Sequence, residues 1–202
     1  AVFDNNGVKT RLECMLPDIP GFLVTPEARG SDLQVQPLPN PPGALQMGDY
    51  RYLGKKFPNS TDHIGVLTGD LPTTVKVAND DREAVGTLGW KIVYSDQYPA
   101  AGTSTWTPYA QALKDKGVRG LIWVGEPEGL AKLEQAMQEI NYNDDWIRTP
   151  PNHNDQKLVD IAGPALKNTY VWTSFVPFND KNSPALRDYL AAFAKYKPDA
   201  KT

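Results

Sequence analysis

Residues 63–175 repeat one unit several times: a short apolar run rich in β-branched or aromatic residues, a longer segment with helical spacing, then another run. That alternation specifies an α/β fold with a three-layer, doubly wound parallel sheet, in which helices cover both faces and ligands sit at the carboxyl ends of the strands. Strands are expected at 63–68, 90–94, 121–124, 146–149 and 170–175, and an earlier one at 21–25. The run Leu121-Ile-Trp-Val124 is wholly apolar, which suits a central strand covered on both sides.

Helix signals fall between these runs. Residues 73–88 place Val77, Ala84, Val85 and Leu88 on one face, and Gly89 supplies the residue that stops the helix. Thr107-Pro108 opens a helix that runs to Lys116 and ends at Gly117. Pro127 opens another, with Leu130, Leu133, Met137 and Ile140 as its buried stripe. A helical segment covers 155–162 before Gly163, and Ser183-Pro184 caps a last helix with Leu186, Leu190 and Phe193 facing inward. Residues 1–60 read differently, because Pro17, Pro20, Pro26, Pro37, Pro39, Pro41 and Pro42 interrupt them; a short helix is expected over 45–57.

Composition narrows the function classes. With 202 residues, 40% hydrophobic, the chain can bury a core and form one large domain or parts of two. A net charge of -3, from 21 basic and 24 acidic residues without a basic run, gives no footprint for nucleic acid. No apolar stretch approaches the roughly 20 residues that span a bilayer, and residues 1–10 lack the regions of a signal peptide. Cys14 is the single cysteine, so no internal disulfide can form. It reads as a small buried apolar residue or as a half-cystine whose partner lies outside the chain. Both ends look unfinished for an α/β domain, so the chain is expected to be a piece of a longer protein.

Catalytic signatures are missing. His63 and His153 sit in no metal-binding spacing, and there is no GxSxG elbow, no phosphate loop and no dinucleotide fingerprint after a strand. No cofactor or metal is expected. Asn59-Ser-Thr61 fits a glycosylation acceptor, a triplet common by chance. Glu126 and Glu128 follow the 121–124 strand; they read as an acid/base pair or as acidic residues that stabilise the positive end of a helix dipole.

What the chain does offer is polar loops after its strands. Glu27, Ala28 and Arg29 follow the first, Asp70, Thr73 and Thr74 the second, Gly125 and Glu126 the 121–124 strand, and Asn152 and His153 the next. Together they can grip a small polar or anionic solute. Each has a structural alternative: Thr73 as a helix cap, Arg29 paired with Asp32, His153 as an ordinary loop residue.

The order of these pieces resembles the type I periplasmic binding proteins, in particular the branched-chain amino-acid (Leu/Ile/Val) receptor group of ABC importers. The resemblance is carried by Ile19-Pro-Gly-Phe-Leu-Val-Thr-Pro26, His63-Ile-Gly-Val-Leu-Thr-Gly-Asp70, and Gly89-Trp-Lys-Ile-Val-Tyr94 with Gln97-Tyr98. It continues through Trp106-Thr-Pro-Tyr-Ala-Gln-Ala-Leu-Lys114, Ile161-Ala-Gly163 leading to Tyr170-Val-Trp172, and Pro184 to Tyr196. It implies two α/β lobes that close on a solute, with residues 1–61 as part of the first lobe and crossover, 62–175 as the second lobe, and 176–202 as a helix returning to the first. It further implies a non-catalytic carrier outside the cytoplasm, periplasmic or extracellular, whose precursor can carry a lipid anchor. Its partners would be a small-molecule solute, such as an amino acid, and the membrane permease of an ABC importer. A ligand-sensing domain of a receptor or regulator is the rival on the same scaffold. Glu27-Ala28-Arg29 stand where amino-acid receptors present small and hydroxylated residues, Thr73 or Thr74 where an aromatic residue often covers the ligand, and Pro151-Asn152 where an acid often meets the ammonium. These departures point away from a leucine-like solute.

Overall fold

Three helices end in the same way, and those endings set the starts of the strands that follow. In the computed structural model, which describes residues 7–20, 23–36, 38, 40–174, 176, 180 and 182–198, α4 (Pro72–Thr87) stops where Gly89 turns to a φ of 76°. The N–H of Gly89 then bonds Gly86 O at 2.9 Å and that of Trp90 bonds Val85 O at 3.0 Å, the Schellman arrangement that satisfies two orphan carbonyls. Gly117 ends α5 (Thr107–Asp115) likewise, with Val118 N–H on Leu113 O, and Asn141 does the same for α6 (Pro127–Glu139), with Tyr142 N–H on Met137 O. Glycine accepts a positive φ without a Cβ penalty, and asparagine tolerates it next best.

Before these lie α1 (Val8–Glu13), α2 (Pro26–Arg29) and α3 (Gly48–Lys56); after them come α7 (Gln156–Ala162) and α8 (Pro184–Tyr196). The five strands are β1 (Ile64–Gly69), β2 (Ile92–Tyr98), β3 (Gly120–Val124), β4 (Trp146–Thr149) and β5 (Thr169–Val171). They form one sheet in the order β2-β1-β3-β4-β5 with every pairing parallel. The doubly wound α/β expectation holds. Burial follows strand position: β1, β3 and β4 are buried throughout, whereas the edge strands β2 and β5 are half-covered.

Alternation along the strands builds two cores. Leu67, Leu121, Trp123 and Ile147 face α5, α6 and α7, while Ile64, Val66, Ile122, Val124 and Trp146 face α3 and α4. Trp123 and Trp146 are fully buried on opposite faces. At about 200 Å² each and about 25 cal/mol per Å², either contributes roughly 5 kcal/mol of apolar burial. Gly120 is required on the second face, because a Cβ there would lie 2.2 Å from the Trp146 ring.

Several boundaries differ from the sequence expectation. Of the strand expected at 21–25, Gly21 and Phe22 lie outside the described residues; Leu23 and Val24 are buried but join no strand, and Thr25 instead caps α2 by accepting a hydrogen bond from Ala28 N–H. The β2 strand begins at Ile92 and runs to Tyr98, because Trp90 belongs to the α4 ending and packs on Tyr50 and Trp146. The last strand is shorter than expected, and Phe175 lies outside the described residues, as do Pro37 and Pro39. Helix α3 starts at Gly48 rather than 45. Cys14 is exposed, which removes its reading as a buried apolar residue.

Candidate functional site

In this strand order the winding reverses between β1 and β3, since α4 leaves β1 toward one face and α6 leaves β3 toward the other. The two connections therefore part at the carboxyl ends of these strands, the place where open α/β sheets bind their ligands. Thr68 and Val124 are register partners, so Asp70 and Glu126 stand two residues beyond them on either lip.

The β1 lip is held by its own hydrogen bonds. Asp70 is exposed; its N–H donates to Tyr98 O at 3.0 Å and its Oδ1 accepts from Ala100 N–H at 2.8 Å. The Thr74 hydroxyl lies 2.7 Å from Gly69 O and 2.9 Å from Leu71 O, which ties the first turn of α4 to the strand end. Thr73 is not the helix cap: Leu71 occupies that position and Pro72 the first helical one. Its half-buried hydroxyl stands at the start of the helix.

The β3 lip rests on a buried aromatic group. Tyr98 stacks on Trp123 with ring centroids 4.8 Å apart and planes at 11°, and meets Trp106 edge-on at 4.9 Å. The Tyr98 hydroxyl reaches under Gly125 so closely that a Cβ there would lie 1.6 Å from it; only glycine fits. Burial pushes the Tyr98 hydroxyl well above the usual tyrosine range, so it stays neutral.

The β4 connection locks onto the same group. The Trp123 indole N–H donates to His153 Nε2 at 3.1 Å, which leaves the imidazole proton on Nδ1, 3.3 Å from Asn152 Oδ1. Asn152 Nδ2 donates to Gly125 O at 3.3 Å. His153 is only 2% exposed, and that burial lowers its pKa to about 4. It is a neutral strut that fixes the β3 and β4 connections together, not a cation on the rim.

Asp70, Thr73, Thr74, Gly125, Glu126, Asn152 and His153 thus gather at one edge. Glu27, Ala28 and Arg29 do not join them. Ala28 is fully buried against Val8 and Leu23, and Arg29 pairs with Asp80 of α4 at 3.2 Å, not with Asp32, while Gln36 Nε2 donates to its carbonyl at 2.9 Å. Glu27 is exposed on α2. The two glutamates after β3 are also divided. Glu126 is exposed on the lip, whereas Glu128 bonds Lys157, which holds its carboxyl below the ordinary range.

Sequence reasoning missed Tyr98 and Trp106 as the floor of this edge. The available signal was the large pair of rings flanking the 99–105 loop directly after a strand. It also missed Arg148, which is fully buried on the α3–α4 face between Asp49 at 2.7 Å and Asp81 at 2.9 Å.

A family model described as periplasmic binding protein matches residues 49–202. The chain belongs to that family. No curated protein sequence matches it significantly. Solved structures place this periplasmic binding protein with the type I fold. A branched chain amino acid ABC transporter from Thermus thermophilus with bound valine superposes at a TM-score of 0.75 and 16% identity, over 95% of this chain and 49% of its own. A periplasmic binding protein type 1 from Bordetella pertussis gives 0.73 at 20% identity, over 96% and 52%. A leucine binding protein from Thermotoga maritima gives 0.73 at 11%, over 94% and 53%. At such identities the likeness establishes the fold, and the chain spans about half the length of these structures.

Proposed function

We propose that this chain is the second lobe, with the adjoining part of the first, of an extracytoplasmic solute-binding protein that captures a small polar solute without transforming it and delivers it to the permease of an ABC importer. Residues 1–61 contribute to the first lobe and crossover, 62–175 form the second lobe, and 176–202 lead back to the first. The observation that carries this reading is the winding reversal between β1 and β3, whose carboxyl ends bear hydrogen-bonding groups over an aromatic floor. Family membership and the printed ligands of two fold relatives, valine and leucine, agree with an amino acid or a related compound.

Charge refines the solute class. The exposed carboxylates of Asp70 and Glu126 make both lips acidic, and His153 adds no positive charge, so this lobe receives the ammonium end of a solute. Thr73 and Asn152 add neutral hydrogen bonds, and the first lobe receives the opposite end.

Calorimetric titration of the intact gene product with a panel of amino acids and polyamines tests this, with product analysis by NMR. Binding without turnover is expected, weakened about tenfold or more by Asp70→Asn with Glu126→Gln, the scale of a charge-assisted hydrogen bond. Conversion of the bound solute, or tight binding only of ligands without an ammonium, overturns the reading.

A further inference from the structure

Arg29 reaches from α2 to α4, and the two ends of that contact belong to separately packed parts of the chain. Val8, Leu23 and Ala28 form a small core of their own, apart from the two cores on the sheet. Within this part the buried Asn40 side chain donates to Leu23 O at 2.8 Å, and its backbone N–H donates to Gln36 Oε1 at 3.0 Å. Gln36 Nε2 in turn donates to Arg29 O at 2.9 Å. This run of hydrogen bonds fixes the backbone of α2, so the Arg29 side chain leaves it from a set position. Its guanidinium, with the side chain only 7% exposed, meets Asp80 on α4 at 3.2 Å.

The pair can be made and broken at low cost on both sides. Asp80 has a second partner in Lys76, one turn back on its own helix, so its charge stays compensated when Arg29 withdraws. Arg29 has no second carboxylate among the described residues, and its Nε lacks a hydrogen-bond partner while the side chain is covered. Withdrawal into water would hydrate that group along with the rest of the guanidinium, which offsets the lost ion pair. Arg148 is the opposite case, since it is enclosed between two acids and its release would leave buried charge unpaired. Contacts between domains of one chain are commonly of the first, separable kind.

Helix α4 begins at the β1 lip, with Thr73 and Thr74 in its first turn, and Asp80 lies about two turns further along. A contact that draws α2 onto α4 therefore draws residues 1–61 toward that lip. We propose that the Arg29–Asp80 ion pair is a clasp between the two lobes, which favours their closed arrangement and so raises solute affinity without touching the solute. It rests on the solute-binding reading, in which residues 1–61 and 62–175 belong to different lobes. A contact present in only one of two arrangements shifts the balance between them by its whole differential free energy. Arg29 and Asp80 are thus positioning residues, outside the set that meets the solute.

Two measurements test it. Spin labels on the exposed native Cys14 and on Glu83→Cys, also at an exposed position, report the spacing of the two parts in the purified 202-residue chain without any solute. Asp80→Asn and Arg29→Met should each lengthen and broaden the distance distribution, and Arg29→Lys, which keeps the charge, should restore it in part. Asp80→Asn leaves α2 itself unaltered, so its effect is separate from any local unfolding caused by Arg29→Met. In the intact gene product, calorimetric titration with the amino-acid and polyamine panel should show binding about three- to tenfold weaker in either variant and no weaker in the double variant. Distances unchanged in both single variants overturn the clasp, and changed distances with unchanged affinity overturn its part in solute binding. Losses that multiply in the double variant overturn the pairing. A gene product that binds nothing in the panel defeats the solute-binding reading instead, and the label distances still decide whether the two parts are clasped.

Discussion

The two faces of the sheet each bury one nitrogen base, and they handle it in opposite ways. Under α5–α7, His153 accepts a hydrogen bond from Trp123 among Tyr98 and Trp106, with no ion pair to it among the described residues. Under α3–α4, Arg148 is gripped by Asp49 and Asp81, with its guanidinium 4.8 Å over the Tyr50 ring and 5.3 Å from Trp172. The cause lies in intrinsic basicity. An imidazole with a pKa near 6.5 sheds its proton on burial, but a guanidinium above 12 cannot, so it must bring its counter-charges inside. A polar residue in this core is therefore defined by what it can do with its proton.

The contrast breaks most visibly at Arg148. Arg148→Met should leave buried Asp81 and half-buried Asp49 without their counter-charge and cost about 3–5 kcal/mol in urea denaturation, since removing one member of a buried pair exposes the desolvation penalty of the rest. Adding Asp49→Leu and Asp81→Leu should recover most of that loss. A single variant that loses under about 1 kcal/mol would show that the triad does not anchor α3 and α4 to β4.

On the other face the corresponding effect depends on pH. His153 titrates near 4 in the folded state and near 6.5 when unfolded, so between those values the unfolded chain binds more protons. Its contribution is complete above about pH 6.5 and is lost as pH falls toward 4, on the order of 3 kcal/mol. His153→Gln keeps an acceptor for the Trp123 indole and should flatten this part of the stability–pH curve relative to wild type. Parallel curves for the two proteins would mean that His153 stays charged.

How much of this could be read from the chain depends on the range of the interactions. The helix stops at Gly89 and Gly117 were legible because a glycine after an apolar stripe has few other uses, and Asn141 plays the same part with a weaker signal. Strands β1 and β3 were legible because they lie centrally and are apolar throughout. The β2 strand was misjudged because an edge strand tolerates Ser95-Asp96-Gln97, which looks like a loop. Leu23 and Val24 teach the converse: an apolar run predicts burial, not strand pairing. The rim residues could be placed because they follow strands directly. Arg148 could not, since its carboxylates lie 99 and 67 positions away and only the packing of α3 and α4 brings them near.

Close packing at the crevice gives a smaller effect. Gly125→Ala puts a methyl carbon within 1.6 Å of the Tyr98 hydroxyl and should cost about 1–3 kcal/mol. Tyr98→Phe removes the hydroxyl but leaves Cζ at 2.8 Å from the new methyl, so it should return only part of that loss. A double-mutant cycle measures the coupling, and additive costs would mean that the ring does not lie beneath the β3 lip.

The smallest effect separates charge from burial on the aromatic face itself. Lys157 and Glu128 join α7 to α6 with side chains 60% and 40% exposed, in sequence terms as good a pair as Arg148 and Asp81. Water screens both partners, and holding two long side chains together costs entropy, so Lys157→Ala should leave the urea midpoint nearly unchanged. Moderate salt should erase even that difference, whereas the Arg148 effect should persist because buried charges are screened far less. Urea denaturation of both variants at low and high salt checks the pairing directly. If Lys157→Ala proved as costly as Arg148→Met, burial would not be what distinguishes the two ion pairs, and the explanation given for the two faces would fail.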